Sequence, residues 1–195
     1  MELVDENKIR SFVDPNLSLS VNQWEQFFSI WRKVTFSRKQ IISEYGATEK
    51  YLYFVLEGSQ RVFYTDHEEK EATLIFTYPV SFGGNLDSFL LQSPAPYYYQ
   101  ALTKSTLLRA SYADILQIRN SIPEINMFFE KSISFALKGL LERMTELQCF
   151  SSQEKFKALL KRSPHILQLI PNKYLANYIG VDPTNFSKFI NSVPF

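Results

Sequence analysis

The chain has 195 residues, 45% of them hydrophobic and 15% aromatic, with a net charge of +1. That is enough to bury a sizeable core, either as one large domain or as two small ones. No run approaches the roughly 20 apolar residues that cross a bilayer, and the opening MELVDENKIR lacks a basic start followed by an apolar stretch. A cytoplasmic protein with no membrane partner is expected.

A single cysteine, Cys149, excludes an internal disulfide framework, and His67 and His165 stand far apart with no cysteine or second histidine beside either. No metal and no other cofactor is expected. The near-neutral charge hides an asymmetry. Residues 151–195 carry Lys155, Lys157, Lys161, Arg162, Lys173 and Lys188 against only Glu154 and Asp182, so this tail is net positive and the rest net negative. A basic tail suits a phosphate-bearing partner, and it also fits an ordinary solvated helical surface.

In chain order, Ser20-Val-Asn-Gln23 reads as a capping box, and Trp24, Phe27, Phe28 and Trp31 follow at helical spacing. An amphipathic helix with an aromatic core stripe is expected there. From Val34 to Ser111 the period becomes two-fold. Tyr51–Leu56, Arg61–Tyr64, Ala72–Tyr78 and Tyr97–Ala101 are rich in β-branched and aromatic residues and read as strands. Glu57-Gly58 and the polar run Asp66–Glu71 separate consecutive strands, which suggests antiparallel hairpins closing a small barrel or sandwich of six to eight strands.

The segment Tyr78–Pro96 breaks the alternation with Pro79, Ser81-Phe82-Gly83-Gly84-Asn85, an apolar patch Phe89-Leu-Leu91, and Pro94-Ala-Pro96. Adjacent glycines let backbone approach a ligand, the more so if a short helix starts at Asn85–Ser88. The same segment also reads as a plain connecting loop.

Ser121 and Pro123 signal the start of a long helix running to about Gln148, with Ile125, Phe128, Phe129, Ile133, Leu137, Leu140, Met144 and Leu147 at helical spacing. Some 25 residues span nearly 40 Å at about 1.5 Å each. That exceeds what a small barrel needs, so the stripe through Ile133, Leu137, Leu140 and Met144 is expected to pair with a second copy.

Ser151-Ser-Gln-Glu154 is a second capping box, and Ser163-Pro164 stops its helix near Arg162. Then Pro171 fits a first helical turn, Gly180 a left-handed cap, Asp182 an N-cap and Pro183 the next first turn. Two short helices joined by a tight turn are expected, with Leu175, Ala176, Ile179, Val181, Phe186 and Ile190 filling the wedge between them. In such a helix-turn-helix the second helix enters the major groove. Thr184, Asn185 and Lys188 are then the candidate base readers, with Lys173 and Ser187 placed for phosphates. A chain ending at Phe195 leaves no room for a β-wing.

Taken together, the order of these pieces resembles the Crp/Fnr family of bacterial transcription regulators. The resemblance is carried by Tyr53-Phe-Val-Leu-Glu-Gly58, Lys70-Glu-Ala-Thr-Leu74, Ser81-Phe-Gly-Gly84, Ser163–Gln168, Ile170–Ala176 and Ile179–Pro183, and it covers nearly the whole chain. It implies an α+β fold. An N-terminal antiparallel β-barrel or jelly roll with flanking helices (1–121) would be followed by a long dimerisation helix (122–149) and an all-α helix-turn-helix (150–195). It implies a homodimer on a near-palindromic DNA site, controlled from the barrel.

The family's ligand cassette carries a Gly-Glu pair and a later Pro-x-Arg, where this chain has Gly84-Asn85 and Pro94-Ala-Pro96. Both charged partners are missing. A buried cyclic phosphate would lack its cation, so cyclic AMP is not expected, and a small uncharged or apolar effector is the alternative. The pocket candidates are Phe82, Gly83, Gly84, Asn85, Ser88, Pro96 and Tyr97. A second reading of the same residues is a dimeric protein-binding scaffold with a degenerate sensor and helix-turn-helix, since the second helix has only Lys188 as a cation. An enzyme is not expected. No His-x-His pair could hold a cupin-type metal, no Ser/His/Asp or Cys/His arrangement stands out, and Glu68-Glu69 lies in a polar turn.

Overall fold

The computed structural model describes residues 3–13, 15 and 17–192, the side chains of Leu3 and Ser192 apart. Phe195, on which the expectation of a missing wing rests, lies outside the described residues. So do the outermost residues of the expected first and last domains.

Among the described residues, eight strands form two antiparallel four-stranded sheets. They are β1 (Arg32–Phe36), β2 (Ile41–Ser43), β3 (Tyr51–Glu57), β4 (Gln60–Thr65), β5 (Glu71–Thr77), β6 (Phe82–Gly83), β7 (Tyr98–Ala101) and β8 (Ser105–Ser111). The first sheet runs β1-β8-β3-β6 and the second β2-β7-β4-β5. The expected barrel is therefore an open sandwich: the two sheets face each other without hydrogen bonding edge to edge. Asp66–Glu71 does close a hairpin, between β4 and β5. Glu57-Gly58 does not, because β3 and β4 lie in different sheets. The turn is a corner between sheets. Gly58 takes φ +83 there, and a Cβ on it would collide with the Lys104 carbonyl and Ser105, so only glycine fits where the two chain corners cross.

Strand β3 has an almost continuous apolar run because both of its faces are covered. Tyr53 and Val55 point inward to Val62 and Tyr99 of the facing sheet, beside Leu107 of the neighbouring strand β8. Leu52, Phe54 and Leu56 point outward to a helical layer. That layer contains α1 (Leu3–Val13), α2 (Val21–Ser29), α4 (Tyr112–Ser121) and the start of α5 (Pro123–Cys149). The Ser20/Gln23 capping box closes α2. Of these helices, α1 and α4 escaped the sequence pattern. α1 buries few side chains fully, Ile9 and Val13 among them, inside a polar run. α4 is capped by Ser111, whose Oγ accepts the Asp114 N–H at 3.1 Å, so strand turns directly into helix.

α5 has its fully buried side chains, Ile125, Phe128 and Phe129, only in its first turns. Beyond them α6 (Ser152–Arg162, opened by the Ser151/Glu154 capping box), α7 (Ile166–Leu169), α8 (Asn172–Tyr178) and α9 (Pro183–Ser192) gather round Phe156, Leu159, Leu175 and Phe186. This second core is continuous with the sandwich through Leu102, Phe76 and Tyr78.

Candidate functional site

Two places gather the residues that the sequence singled out. The first is the α8–α9 corner. Gly180 has φ +63, and the Val181 N–H returns to the Ala176 carbonyl at 2.9 Å, which ends α8 in one turn. Asp182 then opens α9, its Oδ1 accepting the Thr184 N–H at 2.8 Å and the Asn185 N–H at 3.3 Å. Leu175, Ala176, Ile179, Val181 and Phe186 are buried in the wedge, Ile190 is half-buried, and the Phe156 ring meets Phe186 edge-on at 5.3 Å. Thr184, Asn185, Ser187 and Lys188 are all exposed on α9, and Lys173 is exposed on the first turn of α8. The Ser187 hydroxyl donates to the Pro183 carbonyl at 3.0 Å, leaving its oxygen free to accept rather than donate.

The second place is the turn between β6 and β7, where α3 (Leu86–Leu91) sits with Asn85 at its N-cap. The pocket candidates do not converge on one cavity. Phe82 faces the helical layer, stacking on Trp31 and Phe129 at about 6.0 Å. Pro96 is exposed, because Ala95 is held back by paired backbone bonds with Gly46 and Ala47. Tyr97 is half-buried and its carbonyl accepts Asn85 Nδ2 at 3.1 Å. Gly83, Gly84, Asn85 and Ser88 do cluster, and a residue the sequence reading missed lies among them. Glu49 is 4% exposed, and its carboxylate accepts the Ser43 hydroxyl and, at 3.2 Å, the Tyr51 N–H, with the backbone of Lys50 and Asn85 close enough to favour its charged form. Burial pushes its carboxyl above the ordinary range, with these donors pulling the other way. Ser88 Oγ accepts the Glu49 N–H at 2.9 Å. Tyr99 fills the space beside Gly83, its hydroxyl 2.9 Å from Thr77 Oγ1, and burial raises the pKa of both Tyr99 and Tyr53.

The α5 stripe lies open between the two places. Ile133 is half-buried, while Leu137 is 56%, Leu140 47% and Met144 51% exposed. Their spacing of four, three and four residues is that of a two-helix seam.

Other residues missed by the sequence reading join the two halves. Arg143 of α5 donates to the carbonyls of Leu74, Thr73 and Tyr178, and Arg61 of β4 is held between the Phe63 and Tyr174 rings while pairing bidentately with Glu71.

Residues 33–121 match the cyclic nucleotide-binding domain family. No curated protein matches the chain. Among solved structures, it is similar to the c-di-GMP responsive global regulator CLP of Xanthomonas campestris. That likeness has 16% identity over 88% of this chain and 90% of that one, with a TM-score of 0.65. FixK2 from Bradyrhizobium japonicum superposes at a TM-score of 0.72, with 12% identity over 83% of each chain. The Catabolite Activator Protein of Thermus thermophilus aligns over 90% of this chain and 84% of its own, with 19% identity and a TM-score of 0.55. At such identities the likeness is one of fold: a cyclic-nucleotide-binding-type sandwich continued into helices. No helix among the described residues is long and apolar enough to cross a membrane.

Proposed function

We propose that the chain is a cytoplasmic DNA-binding transcriptional regulator of the Crp/Fnr type, working as a homodimer on a near-palindromic site and not responding to cyclic AMP. One observation carries the reading. On α9 the apolar Phe186 is fully buried against α8, while Thr184, Asn185, Ser187 and Lys188 around it face solvent, the division of labour that a groove-reading helix needs. Asn185 has the amide geometry for adenine, Lys188 the charge for guanine, and Lys173 the position for a phosphate.

The dimer is supported by the uncovered α5 seam, which would set two copies of α9 side by side. Independence from cyclic AMP is supported by Asn85, a neutral side chain whose Nδ2 is taken by the Tyr97 carbonyl, and by the uncharged, exposed Pro96. Tyr97 and Tyr99 beside the glycine turn suit an uncharged or apolar effector. The likeness to proteins named a global regulator and an activator agrees with this reading.

Selection of sites from a randomised palindrome library by the purified chain, with and without cyclic AMP, tests it. Enrichment of a near-palindromic site, unchanged by cyclic AMP, is expected. No enrichment at low salt would favour the protein-binding scaffold instead.

A further inference from the structure

We propose that Glu49 is the sensor's built-in anion: its carboxylate occupies the backbone N–H groups of the ligand turn and so excludes negatively charged ligands from it. The proposal rests on the regulator reading above and assigns the residue that sets its specificity.

The geometry is that of a filled anion site. The Ser43 hydroxyl and the Tyr51 N–H, at 3.2 Å, donate to the carboxylate, and the backbone N–H groups of Lys50 and Asn85 add to the pull that favours its charged form. They come from the β2 end, the β3 start and the α3 cap, so chain segments distant in sequence converge on it. Glu49 Oε2 lies 3.7 Å from where a Cβ on Gly84 would stand, which puts the charge against the backbone that a ligand would approach. Clustered N–H groups of this kind bind anions in general, whether phosphate or carboxylate. A second anion arriving here would meet both the loss of these donors and the repulsion of a buried like charge.

The charged and titratable groups facing Glu49 do not reverse this. Tyr53 and Tyr51 lie on β3 and Tyr99 on β7, and burial keeps the Tyr53 and Tyr99 hydroxyls protonated. Arg109 on β8 is engaged by Tyr51, its guanidinium carbon 4.4 Å from the ring centroid.

The test is the thermal midpoint of the full chain in inorganic phosphate against chloride at matched ionic strength, with a parallel titration of cyclic AMP. The wild type and Glu49→Gln, which still fills the turn, should be indifferent to phosphate. Glu49→Ala should be stabilised progressively, corresponding to phosphate affinity at least about ten-fold above wild type by linkage. If Glu49→Ala stays as indifferent as the wild type, and cyclic AMP does not bind, the proposal falls while the regulator reading stands. Binding of cyclic AMP to the wild type would overturn both the proposal and that part of the reading.

Should Glu49→Ala not fold, the wild-type amide resonances decide. Those of Lys50, Tyr51 and Asn85 should shift together through one pH midpoint as Glu49 titrates, and independent or flat behaviour overturns the proposal.

Discussion

The side-chain amide of Asn177 completes the hydrogen bonding of Thr73: the Thr73 N–H donates to Asn177 Oδ1 at 2.6 Å, and Asn177 Nδ2 donates to the neighbouring Glu71 carbonyl at 2.8 Å. β5 is an edge strand, with a row of backbone groups that β4 cannot reach. Asn177 stands in for one residue of a further strand. The helix that carries it is thereby tied to the sandwich. Asn177→Ala should strip both bonds, at a cost of about 1–3 kcal/mol for two ordinary hydrogen bonds. Native-state amide exchange is the measurement: protection of the Thr73 amide should fall while that of Val62, between two strands, is retained. Equal protection in both proteins would refute the tie.

Arg143 strengthens the same junction from α5. Its guanidinium reaches the Leu74 carbonyl at 2.7 Å and the Thr73 carbonyl at 3.2 Å, and stacks 3.7 Å from the Tyr178 ring centroid. Burial lowers its pKa. A lysine has the charge without the fork, so Arg143→Lys should lose about 2 kcal/mol, read as a lower urea midpoint. An unchanged midpoint would show that the charge alone suffices.

The raised pKa of Glu49 fixes the sign of a pH effect. A carboxyl whose folded pKa lies above its unfolded one contributes stability that is full below the unfolded value. That contribution is lost as pH rises through the folded value. Burial raises the Glu49 pKa from 4.5, so the wild type should lose stability relative to Glu49→Gln on going from pH 4 towards neutrality. Thermal midpoints of the two proteins across that range check it, and a constant difference would contradict the shift.

The α5 seam makes its own prediction. Leu137 is 56% exposed in one chain, so Leu137→Glu should leave the fold of the single chain intact. At a paired seam, an unpaired carboxylate costs at least about 3 kcal/mol, a factor of roughly 100 in dimer dissociation. Sedimentation velocity should show dimers of wild type and monomers of the variant at the same concentration. Monomers in both would remove the seam as an interface.

How far the sequence could be read depended on the period of each segment. The aromatic and β-branched run from Tyr51 to Leu56 announced a strand, and the linked signals at Gly180, Asp182 and Pro183 announced the corner, because each rests on chemistry within a few residues. The division into two sheets was hidden, since the Gly58 turn looks the same whether it closes a hairpin or changes sheet. Glu49 was legible in principle. It shares its parity with Tyr51, Tyr53 and Val55, and β3 turns that parity inward. Asn177 and Arg143 carry no such mark, because their partners are carbonyls and an N–H between 35 and 106 residues away, and backbone groups leave no trace in side-chain pattern.

The central claim, that α9 reads DNA, is tested most directly by the salt dependence of binding to a selected site, measured for wild type, Asn185→Ala and Lys188→Ala. Release of counterions from the phosphates requires wild-type affinity to fall steeply between about 50 and 200 mM salt. Each substitution should weaken the selected site by about 1–3 kcal/mol and relax the preference at one base position. Binding that is absent at low salt, or that both variants leave unchanged in strength and preference, would contradict the account.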